Sequence, residues 1–159
     1  MFRKNLFVVV VIGFLFSFGN CAMAGPLDGL SYDEKVVAIT ILAEAKGEGS
    51  VGMQAVACVI QQRSIEKKKT TAFVCLQRKQ FSCWNGQAGI ASLGNKVTRK
   101  NLPAVEIAIK LAKDLVSGKE LDRSLVRWAN HYHTLEVRPK WSAGAVPVAI
   151  IGHHKFFKL

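Results

Sequence analysis

Ser31-Tyr32-Asp33-Glu34-Lys35-Val36-Val37-Ala38-Ile39-Thr40-Ile41-Leu42-Ala43-Glu44-Ala45-Lys46-Gly47-Glu48 is the stretch on which the fold turns. Ser31 with Glu34 three residues on is a capping box, in which each side chain satisfies a backbone N–H of the other and so starts a helix. Val36, Val37, Ile39, Ile41 and Leu42 follow, apolar nearly all round, which predicts a helix buried on every side. Gly47 is expected to end it in the left-handed conformation.

Outward from this helix the pattern stays helical, then changes. Ser50 is expected to cap a second helix through about Ser64, with Met53, Val56, Val59 and Ile60 inward. Thr70 to Thr98 lacks clean periodicity and reads as a long loop carrying aromatics, of a length that is usually functional. Asn101, with Pro103 in the first turn, opens a third helix; its expected face is Val105, Ile109, Ala112 and Val116, and Gly118 stops it. Val126 to Thr134 and Val146 to Phe157 are rich in aromatic and β-branched residues and read as short strands. Helices first and strands last give an α+β class with three main helices and a short C-terminal β region.

The N-terminus reads differently. Arg3 and Lys4 precede an apolar run from Leu6 to Phe16, and small residues end in Ala22-Met23-Ala24. This is the pattern of a secretory signal peptide, and the run is short for a membrane span. The expected division is a signal over 1–24 and one domain over 25–159, placed in the periplasm or outside the cell. A membrane contact is expected only through an uncleaved signal. Cys21 leaves with the signal; a lipidation site there is disfavoured because Asn20 is poorly suited to precede it.

The 159 residues carry 22 Lys+Arg against 11 Asp+Glu, a net charge of +11. A mean hydropathy of +0.19 excludes wholesale disorder. Only Arg3 and Lys4 of those charges lie before Gly25, so the mature chain stays basic and suits an anionic partner. Nucleic acid, an anionic membrane and an anionic cell-wall polymer all qualify; export argues against the first, and Lys67-Lys68-Lys69 reads as a solvated helix end. Cys58, Cys75 and Cys83 remain after export. Cys75 and Cys83 flank a short polar segment that a disulfide would close, while Cys58 reads as a buried thiol. No C-x-x-C pair supports a zinc site.

Glu44 is the candidate for chemistry. It lies seven residues after Val37 and three after Ile41, on the same helix face, so it points toward the interior or a cleft floor. Burial and the negative helix C-terminus are both expected to keep its carboxyl protonated. A glycosidic oxygen needs such a proton donor. Pairing with a cation such as Arg63 is the structural alternative. Glu48 comes one turn later, placed either to share the site or to cap the second helix. His131, Tyr132 and His133 form a second constellation, with His153 and His154 beyond it. His131 and His133 would share a strand face, and with a later His could hold zinc for a wall peptidase or amidase. Trp84, in the loop, offers a ring for a sugar to stack on.

Taken in order, Ala43-Glu44-Ala45-Lys46-Gly47-Glu48-Gly49, Gly52-Met53-Gln54-Ala55-Val56-Ala57, Arg63, Val74-Cys75, Gln80-Phe81-Ser82-Cys83-Trp84, Ala129-Asn130-His131-Tyr132-His133, Pro139-Lys140-Trp141 and Ile151-Gly152-His153-His154-Lys155-Phe156-Phe157 resemble the SleB-type cell-wall hydrolases, the spore-cortex-lytic-enzyme family. The resemblance covers roughly Asp33 to Phe157. It implies a small lysozyme-like, resuscitation-factor-like domain that cleaves peptidoglycan glycan strands, commonly as a lytic transglycosylase, without metal or cofactor and as a monomer. It places the catalytic acid on Glu44. Glu48, Gln80, Phe81, Ser82, Trp84, His131, Tyr132, His133 and Trp141 then become substrate-binding or supporting candidates. Lys46 stands where the family usually has Arg, and Gln62 where Asn often precedes the Arg. No separate peptidoglycan-binding domain is read in the chain, which leaves targeting to the domain and its charge.

Overall fold

In the computed structural model, which describes residues 25–86, 89–98 and 102–159, the Ser31 capping box forms as read. Ser31 Oγ accepts the Glu34 N–H at 3.3 Å, and Glu34 accepts the Ser31 N–H at 2.7 Å. Helix α1 runs Tyr32–Ala45 and buries Val36 through Leu42 without a break. It packs against α2 (Gly49–Lys67), α3 (Thr71–Leu76), α4 (Ile90–Thr98) and α5 (Leu102–Val116). A helix apolar all round is thus surrounded on all sides, and the core is built about it. The signal-peptide reading of 1–24 and the Asn101 cap lie outside the described residues.

The domain is mostly helical with a small sheet, an α+β fold. The turn after α1 departs from expectation. Lys46 is the C-cap, and the left-handed residue is Gly49 (φ 69°), not Gly47. Consequently α2 starts at Gly49, with Glu48 rather than Ser50 at its N-cap position and no side-chain cap bond. Met53, Val56, Val59 and Ile60 are buried as predicted. The stretch from Thr70 to Thr98 is not one long loop. Thr70 caps α3 by accepting the Phe73 N–H at 3.1 Å, a single 3-10 turn spans Ser82–Trp84, and α4 lays Leu93 and Val97 on the core. The inward face of α5 is Ala104, Val105, Ala108, Leu111, Ala112 and Leu115; Val116 is exposed. The helix is rotated from the predicted stripe because it packs on both α1 and α2.

Past α5 the polar end of α2 organises the chain. Buried Gln61 donates to Lys119 O at 2.8 Å and accepts from Leu121 N at 2.9 Å. Gln62 accepts from Arg123 at 2.9 Å. Buried Arg63 donates through Nε to Asn130 O at 2.6 Å. Asn130 in turn donates to Glu66 and exchanges bonds with the Leu159 main chain. Apart from Arg63 Nη1, the buried polar groups here find partners, as burial demands, and the segment 119–130 is led into the sheet.

That sheet is antiparallel, in the order β1 (His131–Thr134), β3 (His154–Phe157), β2 (Ala149–Ile151). Tyr132 faces Phe156 in register, and His133 faces Lys155. One face packs on α2, where Phe156 meets Ala55, Cys58 and Val59. Among the described residues, Cys58, Cys75 and Cys83 are free thiols, so the expected Cys75–Cys83 bridge is not formed in this structure.

Candidate active site

Glu44 is the next-to-last residue of α1, half-exposed at the helix end. Of the two placements its spacing allowed, an apolar interior or a cleft floor, the half-exposed carboxyl is not in the first. Hydroxyl groups meet it instead. Tyr132 Oη donates to Oε2 at 3.0 Å, and Ser82 Oγ makes a long contact to Oε1 at 3.5 Å. The first comes from β1 and the second from the 3-10 turn, so two distant parts of the chain converge on the carboxyl that α1 carries. Burial, then the Glu44 charge, hold the Tyr132 hydroxyl well above its ordinary pKa. It therefore stays a neutral donor.

Each contributor is itself fixed. Thr40, one helical turn before Glu44, donates to Val36 O and accepts Trp84 Nε1–H at 2.9 Å. That bond pins the turn carrying Ser82 to the helix carrying Glu44. Beside Trp84 a concavity of about 400 Å³ opens, lined by Leu76, Gln77, Arg78, Lys79 and Asn85. Tyr132 is set by ring packing, 5.7 Å from Phe156 and 5.1 Å edge-on to His154. Burial pushes the His154 pKa down, toward a neutral ring.

Beneath these lies Arg63, only 6% exposed, with its guanidinium 5.3 Å from the Phe81 ring centre. Its Nη1 has no hydrogen-bond partner. Burial pushes its pKa down, opposed by Tyr132, Cys75, Glu44 and Glu66; a guanidinium nonetheless stays charged. Glu44 forms no ion pair among the described residues, so the paired-glutamate alternative is not what the structure contains.

Glu48 has a different environment. Its carboxylate accepts the His153 N–H at 2.8 Å and contacts the His153 ring at 3.1 Å. The His153 N–H holds its pKa below the ordinary carboxylate value. Two glycines make room for it. A Cβ on Gly152 would lie 2.0 Å from Glu48 Oε2, and one on Gly52 2.2 Å from Glu48 Cβ. Gly152 also has φ +54°, which a side chain would strain. Glu48 thus ties the β2–β3 turn to the end of α1 and is committed to that bond.

The remaining candidates divide. Phe81 is 1% exposed and serves as a floor under Arg63. Gln80 sits in the turn before Ser82, its N–H bonded to Gln77 O. The His131-Tyr132-His133 block is split by strand alternation. Tyr132 reaches Glu44, whereas His131 and His133 lie on the opposite face with Trp141, at 5.2 and 5.4 Å between ring centres. His154 is on the inner face, so the histidines that the zinc reading needs do not converge. No group of three or more metal-ligating side chains gathers among the described residues. Burial raises the Cys58 thiol to about 11 and the Cys75 and Cys83 thiols to about 12, so none of these three is poised as a thiolate nucleophile. Sequence reasoning passed over Thr40, whose one signal is a hydroxyl within an apolar helix a turn before Glu44. Likewise it gave no role to Asn130, His153 or His154 on their own.

Comparison with known proteins follows the same lines. The profile of the family described as Cell Wall Hydrolase matches residues 47–157. No curated protein matches. Among solved structures, the catalytic domain of the germination-specific lytic transglycosylase SleB from Bacillus anthracis superposes with a TM-score of 0.57 at 23% identity, covering 82% of this chain and 98% of that one. The catalytic domain of the Bacillus cereus SleB protein gives 0.55 at 21% identity, covering 82% and 94%. The fold is therefore that of the SleB catalytic domain.

Proposed function

Because the chain belongs to the cell wall hydrolase family, we propose that it cleaves peptidoglycan glycan strands between N-acetylmuramic acid and N-acetylglucosamine, as a lytic transglycosylase with Glu44 as its one general acid and base. The observation that carries this reading is the 3.0 Å bond from Tyr132 Oη to Glu44 Oε2. It joins two distant sequence blocks at one half-exposed carboxyl. The description of the Bacillus anthracis neighbour as a lytic transglycosylase supports the reaction type.

In the proposed reaction, Glu44 gives its proton to the glycosidic oxygen as the bond from that oxygen to the muramic acid C1 breaks. N-acetylglucosamine leaves with a new hydroxyl. The carboxylate is met by the hydroxyl of Tyr132 and, at longer range, by that of Ser82. Glu44 then takes the proton of the muramic acid 6-hydroxyl as that oxygen bonds to C1. A 1,6-anhydro ring closes, no water is consumed, and Glu44 ends protonated as it began. The substrate's own N-acetyl group can stabilise the cationic sugar, so a second protein carboxylate is not required. That agrees with Glu48 being occupied by His153. Trp84 and the adjoining concavity offer a surface for the strand. Export by the segment 1–24 belongs to the same reading; no described helix is long and apolar enough to cross a membrane.

Glu44→Gln tests the assignment. Gln keeps the shape but has no proton to give, and general acid–base catalysis contributes about 10²–10⁴-fold. The expected result is loss of glycan cleavage in a folded protein. Near-normal turnover would remove Glu44 from the role.

A further inference from the structure

The sheet has two faces, and only one of them serves Glu44. Tyr132, His154 and Phe156 point inward, whereas His131, His133, Lys155 and Phe157 point out, by the alternation of β1 and β3. The chain between β1 and β2 folds back over the outer face and sets Trp141 on it. The Trp141 ring stands 5.4 Å from His133 and 5.5 Å, at 90°, from Phe157, and His133 stacks on Phe157 at 4.9 Å. Held by these rings, Trp141 still leaves 41% of its surface to solvent. Beside it is a concavity of about 510 Å³, lined among others by His133, Arg138, Lys140, Lys155 and Phe157.

Charge on this face is one-sided. Among the described residues, Arg138, Lys140 and Lys155 form no ion pair. Residues 135–159 contain a single acidic side chain, Glu136, and that one is bonded to Thr134 and to its own backbone. Three unpaired cations around a ring-floored hollow therefore await an anionic ligand with a flat apolar face.

We propose that this outer face is a second binding site for the peptidoglycan strand, separate from the site at Glu44. The proposal rests on the substrate reading above. The strand alternates apolar sugar faces, which suit the exposed indole of Trp141, with peptide carboxylates, which suit Arg138, Lys140 and Lys155. The hollow is within the size range of small-ligand pockets. Two contacts on one polymer make the second intramolecular, so even a weak outer site holds the enzyme on an insoluble wall.

The test uses the full chain carrying Glu44→Gln, which leaves the strand uncut, sedimented with purified insoluble peptidoglycan. Adding Trp141→Ala, or the exposed pair Arg138→Glu and Lys140→Glu, is expected to weaken binding at least tenfold. The charge pair touches no ring of the cluster, so it reports even where Trp141→Ala disturbs folding. With Glu44 intact, the charge-pair variant is expected to cleave short soluble glycan fragments at the parent rate and whole sacculi more slowly. Unchanged sedimentation overturns the proposal. So does an equal loss on short fragments, which would make the face part of the first site. Val146 and Ile150 are also exposed, at 82% and 60%. Binding to vesicles of anionic lipid that is lost in these variants, with wall binding intact, would assign the face to a membrane and overturn the proposal. If Glu44→Gln sediments through this face while the parent cuts no glycan, the catalytic reading falls and the binding site stands.

Discussion

Replacing Tyr132 by Phe removes one oxygen from the site and little else. The ring keeps its packing against Phe156 and His154, at 5.7 and 5.1 Å. The lost group is the hydroxyl that donates to Glu44 Oε2 at 3.0 Å. A hydrogen bond to a charged group is worth about 1.5–3 kcal/mol net. On the proposed mechanism Glu44 is charged once it has protonated the leaving oxygen. The bond therefore strengthens toward the transition state, and its loss appears in kcat rather than KM. At about 1.4 kcal/mol per tenfold, the full range corresponds to about 10- to 150-fold. Charge is only partly developed at the transition state, which places the expected loss near the lower end. Stability should change by about 1 kcal/mol, the net value of one hydrogen bond. Saturation kinetics on solubilised glycan strands, with thermal denaturation beside them, measure both. A kcat within twofold of the parent in a normally folded Tyr132→Phe protein would refute the reasoning, because the donor to Glu44 would then have no part in the reaction.

Glu48→Gln replaces a charged acceptor of the His153 N–H by a neutral one, a loss of about 1 kcal/mol in stability at neutral pH. The Glu48 pKa is lowered from 4.5 in the folded protein, so its contribution is present above that value and fades as pH falls through the folded one; denaturation of parent and variant should converge in acid, and a gap that stays constant down to pH 2 would contradict the assignment. The three thiols, raised by burial, should alkylate slowly at pH 8 in the native reduced protein and quickly in denaturant. Fast labelling of the native form would show that the core around Cys75 opens. Exported protein should begin at Gly25, and N-terminal sequencing that finds Met1 would refute cleavage after Ala24.

What the sequence disclosed follows from the range of the forces involved. The start of α1 was legible because the Ser31–Glu34 box is local, and its burial because an all-round apolar run has one outcome. Glu44 was legible as a polar residue on that helix, but its surroundings were not. The hydroxyls of Tyr132 and Ser82 come from positions 88 and 38 residues away. The segment from 70 to 98 misled because α3 and α4 are short and gain their stability from packing on α1 rather than from periodicity. The Thr70 cap was readable there and went unread. His131 and His133 could be assigned to one strand face by alternation alone. Which face met Glu44 depended on the pairing of β1 with β3 and on Phe156 packing into α2, and no local pattern encodes that. Glu48 shows the same limit, since its partner His153 is 105 residues on.

The central claim is that Glu44 protonates the leaving glycosidic oxygen and then takes the proton of the sugar's own 6-hydroxyl. Mass spectrometry of purified peptidoglycan after digestion tests it most directly, with the parent protein and Glu44→Gln run side by side. The account predicts 1,6-anhydromuramic acid ends from the parent and none from the variant. Reducing muramic acid ends would contradict the intramolecular step, and free peptides beside intact glycan strands would contradict glycan cleavage itself.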